Sequence, residues 1–432
     1  MLGPLSGLIG FCLFLSGIAL ISVGPVAVQP ILPAAALYLL MALASRPALS
    51  LRVVTWMLVG LAALALSTLF SPVPGYSVLY FLLQSLPLIL FGLVFGLMLG
   101  HGLSDRAQVR WFLSGFVVGA AVSSAVSILQ FGTSTFLGFE LSFTNNANFA
   151  LVAPKGRGVG FTPEAALLAI LLIPAVALVY GERGRADSVL PAPLRGLPML
   201  GLLALGLLST RSSAMVLLPV ILLLVDLVRS GDMAAFLKRL GTLAVIAVAL
   251  GAVFVQLYSA RLQRNDAQAS TTYRLEKILA GLDIFTDHPL VGAGLGRVSD
   301  PAFFERHVRR MADWDWLGED QRKGIDSWTV RLMAEGGLLC LLAFYYPLFR
   351  NVVPGLRRSP AGRALLIVSI ALLLMQALIS GYRDQPYFLL PVIVFALATA
   401  GRPAVGARTS AIPARPAPTL RSTAPPPAIK AA

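Results

Sequence analysis

Charged residues at the edges of apolar segments are the first candidates for chemistry in this sequence. Arg211 stands in the stretch LLSTRSSAMVLL, between two hydrophobic segments with almost no loop to hold it. An arginine placed deep at such a boundary costs up to about 2.5–3.5 kcal/mol. Its side chain is therefore expected to face protein, water or a ligand. The simpler alternative is an arginine that snorkels to the membrane interface.

A second group of charges lies on an amphipathic stretch, TTYRLEKILAGLDIFTDHP, at residues 271–289. Its apolar residues recur at helical spacing, which predicts a helix with that face against the rest of the protein. These residues are Leu275, Ile278, Leu279, Leu282 and Phe285. Arg274 and Lys277 are then expected to project from the first turns, either toward a ligand or, more simply, as a solvated charged face.

A third group opens a later apolar segment. Asp326 precedes it, and Arg331 and Glu335 follow one and two helical turns further in. These three residues form either an ion-paired helix end or the lining of a polar cavity. Arg383 and Asp384, in the turn SGYRDQP, are a further charged pair.

The glycine-rich run DHPLVGAGLGR, at residues 287–297, superficially resembles a dinucleotide-binding loop. Such a loop follows a strand and opens a helix. Here a predicted helix precedes the run, so we interpret it as a tight turn that returns the chain toward the membrane. Cys12 and Cys340 both lie in apolar segments, which argues against a disulfide framework or a cysteine-based metal site.

The composition indicates which kind of structural element positions these charged residues. Hydrophobic residues make up 57% of the 432-residue chain and charged residues 12%, whereas soluble domains carry about 25% charged residues. The apolar runs are continuous and do not alternate, which predicts membrane-spanning helices and not a barrel. The first basic residue is Arg46, so the first run is expected to be an uncleaved span and not a signal peptide.

The expected fold is an all-α, polytopic bundle of about twelve transmembrane helices. The predicted spans are 5–23, 28–44, 53–70, 77–99, 111–129, 162–180, 196–209, 213–228, 240–257, 328–349, 364–379 and 386–400. The corresponding division is 1–257 with spans 1–9, 258–327 as a large periplasmic loop, 328–400 with spans 10–12, and 401–432 as a disordered cytoplasmic tail.

The net charge of +14 reflects orientation and does not indicate nucleic-acid binding. With both termini in the cytoplasm, the cytoplasmic segments hold 19 of the 34 basic residues but only five of the 20 acidic ones. The opposite side is then neutral. This asymmetry is the one that the positive-inside rule predicts, with an anionic leaflet as the partner of the basic loops.

The order of the motifs is more specific than any one of them. An STRSS turn is followed by an amphipathic R-x-E helix that ends in DHPLVGAGLG, and then by D-S-x-x-x-x-L-x-x-E-x-G at the start of the next span. This order resembles the O-antigen ligase and polysaccharide polymerase superfamily (WaaL and Wzy proteins), by motif over about 205–350 and by topology over the whole chain.

The resemblance implies a metal-independent glycosyl transfer, without a cofactor, at the periplasmic face of the bacterial inner membrane. The implied donor is an oligosaccharide on undecaprenyl diphosphate, and membrane lipid, a chain-length regulator and export machinery are further expected partners. Arg211 and Arg274 match the two functional arginines of the family and are assigned to the diphosphate, for which a planar guanidinium fork is suited. The other candidate substrate-binding residues are Lys277, Arg331, Glu335, Arg383 and Asp384.

One position departs from the family pattern. Ligases of the family usually carry a histidine just before the late span, where this chain has Asp326-Ser327. Asp326 is therefore the expected general base on the acceptor hydroxyl, with His307 as a less favoured alternative. The departure favours an exopolysaccharide or O-antigen polymerase over an O-antigen ligase. A lipid-linked oligosaccharide flippase, which performs no chemistry, is the alternative from another class.

Overall fold

The computed structural model describes most of the first half of the chain and the central part of the second half. The described residues are 2–23, 26–44, 51–70, 106–144, 156–230, 241, 265–294, 296–308, 325, 327–352, 364, 367 and 371. Predicted spans 77–99 and 386–400, nearly all of 240–257 and 364–379, and the tail 401–432 lie outside them.

The N-terminal segment differs from the predicted first span. Helix α1 (Leu2–Cys12) continues as a 3₁₀ turn to Leu15, and a hairpin of β1 (Ile21–Val23) and β2 (Val26–Val28) follows it. The prediction of one helix over 5–23 was wrong. The β-branched residues of this stretch disfavour helix and favour strand, and Gly-Pro between the strands is typical of a turn. Helix α2 (Ile31–Ala44) replaces the predicted span 28–44.

Helices α3 (Leu51–Leu69), α4 (Arg106–Gly132) and α5 (Ala165–Glu182) correspond to the next predicted spans that are described. A π-helical turn, Thr133–Leu137, extends α4. Glycines let α1 pack closely on α4, and a Cβ on Gly115 would collide with the backbone of Gly7. Small residues serve this purpose in membrane helices, where lipid is as apolar as the core.

Two of the described helices are long and apolar enough to cross a membrane, by length and composition: Ala107–Leu137 and Ala165–Glu182. Among the described residues the fold is helical apart from the β1–β2 hairpin. The number of twelve transmembrane helices stays a prediction.

The segment after α5 carries the first functional candidate. A 3₁₀ turn, Ala192–Arg195, leads into α6 (Leu197–Ser209), which agrees with the predicted span 196–209. A second 3₁₀ turn, Ser213–Leu217, leads into α7 (Leu218–Ser230). Helix α6 packs against both α4 and α5.

Helix α8 (Asn265–Asp287) forms where the amphipathic pattern predicts it, but its buried face is a different one. Leu275, Leu279 and Leu282 are exposed, whereas Lys277, Ala280, Gly281 and Ile284 are buried. A Cβ on Gly281 would lie 2.6 Å from side-chain carbons of both Ile325 and Val330, so the small residues form the contact. The expected apolar face and the expected projection of Lys277 were therefore wrong, because close helix approach selects small residues and leaves leucines outward.

The last described elements are short turns followed by one long helix. They are a 3₁₀ turn at Arg297–Ser299, α9 (Pro301–Phe304), a 3₁₀ turn at Glu305–His307, and α10 (Trp328–Val352). Helix α10 packs on α3 and α8. It is interrupted at Gly337, whose φ of 62° and ψ of −163° are not helical.

Candidate functional site

Arg211 lies just beyond the C-terminus of α6, in a conformation that arginine rarely adopts. Its φ is 48°, and among the described residues it is the one residue other than glycine with a positive φ. Its N–H donates to the carbonyl of Leu208 at 3.1 Å, so it occupies the left-handed position after the helix, where glycine is usual. The side chain is exposed, and its guanidinium carbon lies 4.8 Å from the ring centroid of Phe131 on α4.

A glycine-rich loop, residues 156–160, is held against the C-terminal end of α4 by hydrogen bonds with one glutamine. Gln130 accepts hydrogen bonds at Oε1 from the N–H groups of Val159 (2.9 Å) and Gly160 (2.8 Å), and its Nε2 donates to the carbonyl of Gly160. The N–H of Gly158 donates to the carbonyl of Ser209 at 2.9 Å. The loop therefore joins α4 to the end of α6 immediately beside Arg211. Neither Gln130 nor Phe131 was among the predicted site residues, because both read as ordinary positions of an apolar helix.

The glycine turn 287–297 and the break in α10 form one interlocked unit. The N–H groups of Ala293 and Gly294 donate to the carbonyls of Ala334 and Glu335, and those of Leu338 and Leu339 donate to Pro289 and Leu290. Ser67 of α3 donates its hydroxyl to the carbonyls of Val291 and Glu335. The DHPLVGAGLG and MAEGGLL motifs therefore supply backbone hydrogen-bond partners to each other.

This interlock leads to a stability prediction. Gly292 and Gly337 both have positive φ, and a Cβ on Gly337 would lie 2.5 Å from the backbone of Leu290. Gly337→Ala combines left-handed strain with overpacking and is expected to cost about 2–5 kcal/mol. The measurement is the thermal unfolding of purified protein in detergent. Gly201→Ala is the control, since nothing lies within 4 Å of a Cβ there; equal midpoints for both variants would contradict the interlock.

Arg331 and Glu335 form a buried pair one helical turn apart on α10. Arg331 donates from Nε at 3.1 Å and from Nη2 at 3.0 Å to the same oxygen, Oε1 of Glu335. Their side chains are only 3% and 2% exposed. The carboxylate also accepts hydrogen bonds from the N–H groups of Gly296 and Val298. Of the two predicted alternatives, this geometry is that of an ion-paired helix end, which anchors the glycine turn.

The segment before α10 is described on both sides of Asp326 but not at that residue. Ile325 and Ser327 are buried. Ser327 caps the helix, because its Oγ accepts from the N–H of Val330 at 3.3 Å and its carbonyl accepts from the N–H of Arg331. Asp326 therefore immediately precedes the N-cap of α10 in the chain.

The other predicted site residues are only partly placed. Arg274 lies in α8, but its side chain is outside the described part of the structure, as are Arg383 and Asp384 entirely. Lys277 is buried on the face of α8 that packs inward. The structure therefore places Arg331 and Glu335 in contact with each other and does not bring the other candidates together within the described residues.

His307 lies against the C-terminal end of α8. Its Nδ1 is 3.0 Å from Oδ2 of Asp283 and 3.8 Å from Oδ2 of Asp287. Its ring also contacts Phe303, with ring centroids 5.1 Å apart. This contact holds the 3₁₀ turn Glu305–His307 on α8 and leaves Nε2 as the nitrogen not engaged with Asp283.

The comparison with known proteins finds a match over the stretch of chain that contains most of these residues. Residues 197–345, from the start of α6 well into α10, match the family model Wzy_C, described as O-antigen ligase. No curated protein matches the chain. The match covers the STRSS turn, α8, the glycine turn and the helix break, and it confirms the superfamily expected from the order of these motifs. Over residues 197–345 the chain is therefore similar to the O-antigen ligase and polysaccharide polymerase superfamily, whose members are glycosyltransferase-like membrane proteins acting on lipid-linked glycans.

Proposed function

We propose that this protein polymerises oligosaccharide repeat units that are carried on undecaprenyl diphosphate, at the periplasmic face of the bacterial inner membrane. The observation that carries the proposal is the exposed guanidinium of Arg211, held in a strained backbone position at the end of α6. Strain of this kind persists where the surrounding structure enforces it, typically at functional sites. A cation held this way suits a leaving diphosphate.

The proposed step is one displacement at the anomeric carbon of the donor glycan. The acceptor hydroxyl oxygen forms the new glycosidic bond, and its proton passes to a general base. The bond between the anomeric carbon and the diphosphate oxygen breaks, and undecaprenyl diphosphate leaves with the electron pair. Arg211 and Arg274 stabilise the charge that develops on the diphosphate. The lipid activates the donor, so no nucleotide is required.

Asp326 is the proposed general base. In the sequence it directly precedes Ser327, the N-cap of α10, a helix whose start carries the buried Arg331–Glu335 pair. We assign Arg331, Glu335 and the buried Lys277 the role of positioning this region. Substrate contacts of Arg383 and Asp384 stay predictions.

O-antigen ligation is the second candidate, and the matching family model, described as O-antigen ligase, fits it equally. The acceptor would then be lipid A-core, and the chemistry at Arg211 would be the same. The residue Asp326, where ligases of the family usually carry a histidine, supports the polymerase. The two functions differ in their product, which is either long lipid-linked polymer or decorated lipopolysaccharide.

A deletion in the native host tests the proposal. Its glycolipids and extracellular polymer are compared after complementation with wild type, Asp326→Asn or His307→Ala. The expected result is accumulation of single lipid-linked repeat units and loss of long polymer, rescued by wild type and His307→Ala but not by Asp326→Asn, whose amide is too weak a base.

Three other outcomes would change the assignment. Long lipid-linked chains that persist but never reach lipid A-core would identify a ligase. Rescue by Asp326→Asn together with failure of His307→Ala would move the general base to His307. Donor that reaches the outer face only when the protein is present would indicate a flippase and contradict the proposal.

A further inference from the structure

Arg157 lies on the glycine-rich loop at the end of α4, and the backbone on both sides of it is fixed. The N–H of Gly156 donates to Oγ of Ser134 at 3.0 Å, and the N–H of Gly158 donates to the carbonyl of Ser209 at 2.9 Å. Arg157 itself is half-buried. The loop therefore presents this arginine from a defined position and not from a freely moving chain.

The loop also packs too closely on α4 to shift without cost. A Cβ on Gly158 would collide with the backbone and side chain of Ser127, and Oγ of Ser127 lies 2.7 Å from Oγ of Ser209. These contacts link the loop, α4 and the last residue of α6 in one packed junction. Arg211 follows Ser209 by two residues, so the same junction positions both arginines.

Arg157 and Arg211 are neighbours across this junction. A Cβ built on Gly156 would lie 3.5 Å from Nη1 of Arg211. Consecutive Cα atoms are about 3.8 Å apart, so the backbone of Arg157 lies within an arginine side chain's reach of the Arg211 guanidinium. Among the residues that the structure describes, no carboxylate forms an ion pair with either side chain. Two guanidinium groups in the same region repel each other, and an anion between them offsets that repulsion.

We infer that Arg157 and Arg211 together form a two-arginine site for a phosphate-containing lipid, with Arg157 as a further binding residue for the diphosphate of the donor. The inference rests on the proposed function and deepens it. Each guanidinium presents a planar fork to one phosphate, which two separate phosphates of a diphosphate can satisfy at the same time. A phospholipid headgroup offers the same chemistry with a single phosphate, so the test separates the two sources.

The experiment measures binding of farnesyl diphosphate to the purified full-length protein in nanodiscs of phosphatidylcholine, and separately counts bound phosphatidylglycerol by native mass spectrometry. The variants are Arg157→Gln, Arg157→Lys and Gly158→Ala, with Arg183→Gln as the control because Arg183 is an exposed arginine after α5. Loss of one charge-assisted contact is expected to weaken farnesyl diphosphate binding by about 10- to 100-fold in Arg157→Gln. Arg157→Lys should lose less, Gly158→Ala should lose binding by displacing the loop, and Arg183→Gln should bind as wild type.

The outcomes separate a failure of the inference about Arg157 from a failure of the proposed function. Wild-type affinity in Arg157→Gln, with binding lost in Arg211→Gly, would overturn the role of Arg157 and leave the proposed function standing. Unchanged diphosphate affinity with loss of bound phosphatidylglycerol in Arg157→Gln would assign the site to headgroups and overturn the donor assignment. A wild-type protein that does not bind farnesyl diphosphate would contradict the proposed function itself.

Discussion

Arg211→Gly is expected to reduce glycosyl transfer by at least about 10²-fold, the usual effect of removing one preorganised group that stabilises developing charge. The same change should leave the fold intact. Glycine adopts the φ of 48° at this position without the steric cost, about 1–2 kcal/mol, that other residues pay. An inactive protein of equal or higher thermal stability would therefore separate the function of Arg211 from any structural role. The measurements are polymer yield in the deletion host and the unfolding midpoint in detergent.

Two further substitutions sharpen this prediction. Arg211→Lys keeps the positive charge but lacks the fork, so it should recover only part of the activity. Arg274→Ala and Arg274→Lys are expected to follow the same order on α8. Near-normal polymer from both Arg211→Gly and Arg274→Ala would eliminate the proposed stabilisation of the diphosphate.

Glu335→Ala is expected to give the largest loss of stability, about 3–5 kcal/mol, because it breaks a buried ion pair by removing the carboxylate to which Nε and Nη2 of Arg331 donate. It also removes the acceptor for the N–H groups of Gly296 and Val298. The glycine turn should then detach from α10, and polymer should be lost together with folded protein. Thermal unfolding and the yield of monodisperse protein measure the effect.

A matched double variant tests whether the broken ion pair causes this loss of stability. Arg331→Met combined with Glu335→Leu removes both charges together, and replacing a complete buried pair with apolar residues is often neutral or stabilising. The double variant should therefore be more stable than Glu335→Ala alone. If both variants are equally unstable, the lost acceptor for the N–H groups of the glycine turn, and not the broken ion pair, determines the loss of stability.

The sequence predicted the elements whose signals are local. Helix α6 begins and ends within one residue of the predicted span 196–209, and α8 forms over the amphipathic stretch. Apolar run length and helical spacing are properties of neighbouring residues, so they can be read without tertiary contacts. The superfamily could also be recognised, because the interlocked glycine turn and α10 require a particular order of motifs.

The sequence could not predict which face of α8 is buried. The leucine face suggested the contact, but Ala280 and Gly281 make it. Ile325 and Val330 approach α8 so closely at Gly281 that a side chain has no room there, and hydrophobic periodicity does not report how closely another segment approaches. The hairpin after Leu15 was missed for a related reason, since an apolar run of β-branched residues reads equally as the end of a span.

Features that depend on distant contacts were also beyond the sequence. The break at Gly337 is stabilised by the backbone of residues 289 and 290, and the loop beside Arg211 is fixed by Gln130 from a helix that ends before the loop begins. The left-handed conformation of Arg211 had no local signal either, because STRSS lacks the glycine that usually marks this position. Each of these features needs the tertiary structure.

Reconstitution of the purified protein with an undecaprenyl-diphosphate-linked repeat unit, followed by mass spectrometry of the lipids and glycans, tests the central claim most directly. The account predicts release of free undecaprenyl diphosphate in step with the formation of lipid-linked glycans two or more repeat units long, and loss of both products in Arg211→Gly. Donor that stays chemically intact in the wild-type reaction, whether or not it crosses the bilayer, would contradict the account.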